Sequence, residues 1–319
     1  MTYTLADLMP LYFGLLPSQL LNDKGKQVIQ NVSGYFPVLS GVGLEYHFNS
    51  KDSRTDFLIR ITREEARSPY MRWQEYFAGL GQYGKHIEQP SLFASEGIEN
   101  LWYEFDLKDT HDDRLIPSLF FDLDRENAMD PLVKIHTLDR LLIGCFDREI
   151  HSSLAFLTSL LADRQAQLYY VGLMLSREKS PVRICLLFNN PPYLLTFLQQ
   201  RIPGGYFLAA AELLAKIIGM TSRVVLDLNL TEHPYDELGV ELFFDTPHQL
   251  QDCMEMLTNR GIISQYEQDT FLLCQKTISC DAISFPQIGY FRTGINHIKV
   301  SFNKGILSSV KGYVYLSYY

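Results

Sequence analysis

The sequence predicts an α+β fold: a ten-stranded antiparallel β-barrel of five hairpins surrounded by helices, in αββα repeats. Three observations predict it. Short segments with period-two alternation recur in pairs, a helical pattern follows each of the first four pairs, and every strand has one apolar face.

The pairs come in order along the chain. GLEYHFN (43–49) and DFLIRIT (56–62) are followed by LWYEFDL (101–107) and SLFFDLD (118–124). LYYVGLML (168–175) and VRICLLF (182–188) come next, then RVVLDLNL (223–230) with GVELFF (239–244). HIKVSF (297–302) and KGYVYLSY (311–318) close the series, joined by the link NKGILSS. Such short links can join only antiparallel neighbours, so each pair reads as a hairpin. MRWQEYFAGLGQYGKH, residues 139–164, PYLLTFLQQ with FLAAAELLAKII, and HQLQDCMEMLTNR with EQDTFLLCQKTI supply the intervening helices. No Pro/Gly/Ser-rich linker divides the chain, so residues 1–319 read as one domain, with 1–40 an N-terminal helical cap and 41–319 the barrel repeats.

Successive strand side chains point to opposite sides, which sorts the residues into two faces. One carries Leu44, Tyr46, Ile59, Tyr103, Phe105, Phe121, Val171, Ile184, Leu226, Val240 and Val300, and calls for a cover of helices. The other carries charges and rings: Glu45 and His47, Arg60, Trp102 with Glu104 and Asp106, Phe120, Tyr170, Arg183, Asp227, Glu241 with Phe243, His297 with Lys299, and Tyr313 with Tyr315. A long antiparallel row tends to curl shut, because closure removes its edges. Ten strands enclose more space than eight, which side chains just fill, so the polar face would line a cavity.

Composition narrows the function. Lys plus Arg number 28 against 37 Asp plus Glu, a net charge of -9, with no basic cluster to follow a phosphate backbone; nucleic acid is excluded as a partner. The first 21 residues are apolar but hold Asp7, Pro10 and Pro17 and no cation before Lys24, so neither a signal peptide nor a membrane span is expected. Five scattered cysteines without a C-x-x-C pair point to a reduced, cytoplasmic protein. Phe, Trp and Tyr reach 13% of residues, a surplus that the polar face partly absorbs.

Five hairpins alternating with helices, helices outside and a wide polar lumen inside, resemble the αββα barrel of the soluble aromatic prenyltransferases. The resemblance rests on repeat order and face pattern. It implies transfer of a dimethylallyl or geranyl group from its diphosphate to an indole or phenol, an aromatic prenylation of the secondary-metabolism kind. By that resemblance Glu45 is the catalytic acid that positions the acceptor. Arg60, Arg183 and Lys299 hold the diphosphate, and Tyr170, Tyr313 and Tyr315 shield the allylic cation. Trp102, Phe120 and Phe243 form the acceptor pocket. Glu104 and Asp106 stand where indole-type members carry a basic residue and a tyrosine. Two carboxylates repel a diphosphate unless a divalent cation lies between them, so they are the candidate Mg²⁺ ligands.

Other readings use the same residues. Glu45, Glu104 and Asp227 could serve only as salt-bridge partners of Arg60, Arg183 or Lys299, and His47 and His297 as hydrogen-bonded wall residues. The barrel could bind a hydrophobic metabolite or a peptide without catalysis. A guanidine-modifying propeller would use Cys280 and His297, but a third strand per repeat is missing. GLGQYGK (79–85) satisfies G-x-G-x-x-G by letter only, since it ends a helical pattern, and His86 replaces the Ser or Thr of a P-loop. Asp112-Asp113 lacks a third aspartate, and Asp122-Leu-Asp124 sits among hairpins, not parallel βα units.

Overall fold

The computed structural model describes residues 3–50, 55–67, 75–76, 98–107, 115–123, 151–177, 182–202, 204–279 and 290–318. Two helices lead, α1 (Leu5–Leu15) and α2 (Asp23–Ser33), followed by β1 (Gly41–His47), β2 (Thr55–Thr62), β3 (Ile98–Phe105) and β4 (Ser118–Leu123). Next come α3 (His151–Leu161), β5 (Gln167–Leu173), β6 (Val182–Phe188), α4 (Pro191–Arg201), α5 (Gly204–Ile218), β7 (Arg223–Asn229) and β8 (Glu237–Phe243). The chain ends with α6 (Pro247–Asn259), α7 (Gln265–Leu272), β9 (Lys276–Ser279), β10 (Tyr290–Asn303) and β11 (Ile306–Tyr318). The motif at 79–85, Asp112-Asp113, Asp124, Cys145 and Cys280 lie outside the described residues.

Neighbouring hairpins also pair with each other, antiparallel throughout, and β11 returns to β1, with Glu45 opposite Tyr313. The result is a closed ten-stranded antiparallel barrel with seven helices among the described residues. A propeller is ruled out by this continuity, because its blades are separate sheets. The faces fall as the alternation requires. Tyr46, Ile59, Tyr103, Phe105, Phe121, Val171 and Leu226 join one large apolar core with the helices, while Glu45, Glu104, Asp227, His297 and Lys299 are buried inside.

Two segments differ from expectation. The link between the last strands shrinks to Lys304-Gly305, whose φ values are 49° and 80°. Two left-handed residues make a turn whose twist matches the flanking strands, so Ile306–Ser309, expected as loop, joins β11. QKTI, expected as the end of a helix, lies beyond the last turn of α7. It gives β9, pairing with the N-terminal part of β10 that period-two reading also missed.

Residues 3–40, which carry α1 and α2, dock on the outer wall. Tyr12 meets Phe291 edge-on at 5.2 Å, Phe36 packs 6.2 Å from Tyr103, and the Thr55 hydroxyl donates to the Leu20 carbonyl. Pro10 inside α1 leaves the Ala6 carbonyl without its helical donor, and the Gln30 side chain supplies one at 2.6 Å.

Candidate functional site: a lumen in two chambers

The inner face encloses two adjoining cavities that share Lys299. One, of about 170 Å³, is aromatic: Trp102, Phe120, Tyr169, Tyr170, Phe243, Tyr313 and Tyr315 line it, with Glu104, Glu241, His297 and Arg223 among them. The other, of about 240 Å³, is polar and rich in cations: Arg177, Arg183, Lys299 and Lys311 face Asp227, Glu237, Asn229 and three serines.

Local sequence makes room for these groups. Gly172 stands opposite Phe120 across β4 and β5, and a Cβ there would meet the Phe120 ring at 2.7 Å. Gly239 does the same for the charged layer, since a Cβ would come within 2.7 Å of Lys299 Cε and 3.0 Å of Asp227 Oδ2. A bulge between Leu168 and Tyr170 brings Tyr169 into the lumen beside Tyr170, their rings 4.2 Å apart.

Two charge clusters occupy the layer where the chambers meet. In the first, Glu45 is 1% exposed and fully engaged: the Lys311 ammonium donates to Oε1 and the Tyr313 hydroxyl to Oε2. His47 Nε2 lies 2.9 Å from Glu45 and 2.7 Å from Asp56. Burial opposes ionisation of Glu45, but Lys311 and the His47 hydrogen bond outweigh it and hold the carboxyl well below its ordinary range. Burial likewise opposes protonation of His47, and its bonds to Asp56 and Glu45 raise its pKa all the same.

In the second cluster, Lys299 pairs with Asp227 and lies 3.7 Å from Glu241. Arg183 Nε donates to Asn229 at 3.1 Å. Against burial, Lys299 and Arg183 lower the Asp227 pKa, and Asp227 raises that of Lys299. The two acids that line the aromatic chamber behave differently. Burial and the Asp227 charge push Glu241 to about 8, and burial with the Glu45 charge pushes Glu104 to about 7. Near neutral pH these acids are largely or half protonated, so the chamber is less anionic than its sequence suggests.

The aromatic chamber thus gathers Trp102, Glu104, Phe120, Tyr170, Phe243, Lys299, Tyr313 and Tyr315 of the candidate residues. Arg183 belongs to the cationic chamber. Arg60 lies apart from Arg183 and Lys299: its guanidinium sits 5.8 Å from the Trp102 ring and donates to Ser40. Asp106 accepts a hydrogen bond from Ser176 at 2.8 Å. Asp227 does pair with Lys299, whereas Glu45 takes Lys311, a partner the sequence reading did not name. Lys311, Asp56, Arg223 and Tyr169 were missed. Lys311 lies two residues before Tyr313 and Asp56 four before Arg60, so period-two counting extended by a step reaches both.

Glu104 and Asp106 are the carboxylates that the sequence offers to Mg²⁺. Of the two, Glu104, with a pKa of about 7, is half protonated at neutral pH and Asp106 accepts from Ser176. Among the described residues, three metal-capable side chains converge only at Glu45, His47 and Asp56, where Lys311 already neutralises Glu45. No step below depends on a metal.

The barrel, its hairpin order and the outer helices define the class: an αββα barrel of the prenyltransferase type. Among solved structures, the fold matches a 6-dimethylallyltryptophan synthase from Micromonospora olivasterospora, in complex with DMASPP and Trp. The TM-score is 0.57 and the identity 12%, over 99% of this chain and 97% of that one. No family model and no curated protein matches the sequence.

Proposed function

We propose that the protein is an aromatic prenyltransferase that moves a short isoprenoid, dimethylallyl or geranyl, from its diphosphate to an electron-rich ring such as an indole or phenol. The observation that carries this reading is the division of the lumen. An aromatic chamber joins a cationic one through Lys299, matching the apolar tail and anionic head of an allylic diphosphate. The likeness to a barrel solved with DMASPP and Trp supports the same assignment.

In this reading Arg183 and Lys299, with Lys311 and Arg177, hold the diphosphate in the cationic chamber. The ester C–O bond breaks with its electron pair on the diphosphate oxygen, where these fixed charges stabilise it. The allylic cation forms among Tyr170, Tyr313 and Tyr315, whose π faces stabilise it and exclude water. The acceptor lies against Trp102, Phe120 and Phe243; a ring carbon supplies the electron pair of the new C–C bond, and the ring proton at that carbon leaves.

Glu104 takes that proton. It lines the chamber, makes no hydrogen bond among the described residues, and with a pKa of about 7 is partly ionised at neutral pH. Glu45, closed off by Lys311 and Tyr313, acts as a positioning residue that fixes the Tyr313 phenol. Arg60 steadies Trp102 from the rim.

Incubation with dimethylallyl diphosphate and a panel of indoles and phenols, read by mass spectrometry, tests the proposal. It expects a product heavier by one isoprene unit. Binding of the aromatic compounds with no product from any of them would leave a non-catalytic binding barrel.

A further inference from the structure

His297 is the group in the lumen whose chemistry is least accounted for. It is 7% exposed, lines the aromatic chamber from β10, and neither ring nitrogen has a hydrogen-bond partner. Both faces of the imidazole are covered: Tyr313 stacks on it at 3.9 Å and 20°, and Phe243 lies 4.7 Å away at 33°. A ligand can therefore meet His297 only at its edge, where the two nitrogens, buried in the unliganded barrel, are reached by a small shift of the ring.

A neutral imidazole has one N–H and one lone pair, and leaving both unmet in a buried site is costly. Glu241 Oε2 lies 3.7 Å from Nε2, beyond hydrogen-bond reach, so the nitrogen without the proton keeps a lone pair that no group among the described residues meets. Burial and the neighbouring Lys299 hold the His297 pKa down at about 3, so the ring stays neutral and keeps its acceptor.

We propose that His297 selects the aromatic substrate, accepting at its unprotonated ring nitrogen a hydrogen bond from a ring N–H or phenolic O–H of a planar acceptor seated against Trp102 and Phe120. The inference rests on the aromatic chamber being the acceptor pocket, and it deepens that reading by giving the acceptor class. Compounds whose donor is capped by a methyl group are rejected, because they leave the buried nitrogen unmet and place a methyl against it. Discrimination by an unmet buried polar group is larger than what an apolar wall can provide.

The test is calorimetric titration of indole and of 1-methylindole into the protein, without any diphosphate. The expected result is at least a tenfold preference for indole, reduced to less than threefold in His297→Phe. His297→Gln retains a carbonyl acceptor and should restore part of the preference, and it serves as the readout if the Phe variant does not fold. Equal binding of both ligands, no saturable binding of either, or a preference that survives in both variants would overturn the proposal. Binding of dimethylallyl diphosphate, measured separately, reports on the prenyl-transfer reading, so the two can fail independently.

Discussion

Replacing Lys299 by Met leaves the Asp227 carboxylate buried without its ammonium partner. Asp227 is 3% exposed and Lys299 6%, so water in the polar chamber replaces the lost partner only in part. Breaking a buried pair from one side costs about 3–5 kcal/mol. Arg183, which helps hold Asp227 ionised, places this case toward the lower end, at about 3 kcal/mol. For a chain of this size that lowers Tm by roughly 6 °C, at about 2 °C per kcal/mol. Adding Asp227→Asn removes the stranded charge while keeping a hydrogen-bonding side chain, and should return at least half of the loss. Urea unfolding followed by circular dichroism gives both values. A loss below about 1 kcal/mol in the single variant, or a double variant as unstable as the sum of the singles, would refute the buried-pair argument. The recovered double variant also separates structure from function: it folds, yet lacks the cation shared by both chambers, and should bind dimethylallyl diphosphate at least tenfold more weakly.

Further predictions concern the same lumen. Glu241 has a folded pKa of about 8 against an ordinary 4.5, so the native state holds a proton the unfolded chain has lost in that interval, and stability declines as pH rises through it. Glu241→Gln should therefore match the wild type near pH 4.5 and exceed it at pH 9 by a few kcal/mol, on the order of the linkage involved; equal pH profiles in urea unfolding would contradict this. Gly239→Ala should displace Lys299 and Asp227, lowering diphosphate affinity more than stability, as titration and melting together would register. Glu104→Gln should keep substrate binding and reduce kcat by about a hundredfold or more as the ring proton loses its acceptor; an unchanged kcat would remove Glu104 from the mechanism.

Much of this architecture was legible in the residues. Period-two alternation placed Tyr103 and Phe105 outside and Trp102 and Glu104 inside, and hairpin spacing implied the closed sheet. The long final hairpin was not legible, because the twist-compatible Lys304-Gly305 turn looks like part of a longer polar loop until its φ values are known. Pairing across the lumen was harder still. Strand tilt decides whether Glu45 meets Arg60 or Lys311, and no local pattern encodes it. Burial, too, separates acids that look alike in the sequence: Glu45 is ionised by its donors, while Glu104 and Glu241 are pushed toward their neutral forms. His297 was read as a satisfied wall residue. Only the structure shows that Tyr313 and Phe243 cover its faces and that neither nitrogen has a hydrogen-bond partner.

The claim that the lumen reads an isoprenoid diphosphate is met most directly by calorimetric titration of dimethylallyl diphosphate into the protein, with Mg²⁺ and with EDTA. Saturable binding in both buffers, lost in Arg183→Ala and in the folded Lys299→Met/Asp227→Asn variant, is the predicted result. No heat in either buffer, or binding that both variants retain, would contradict it.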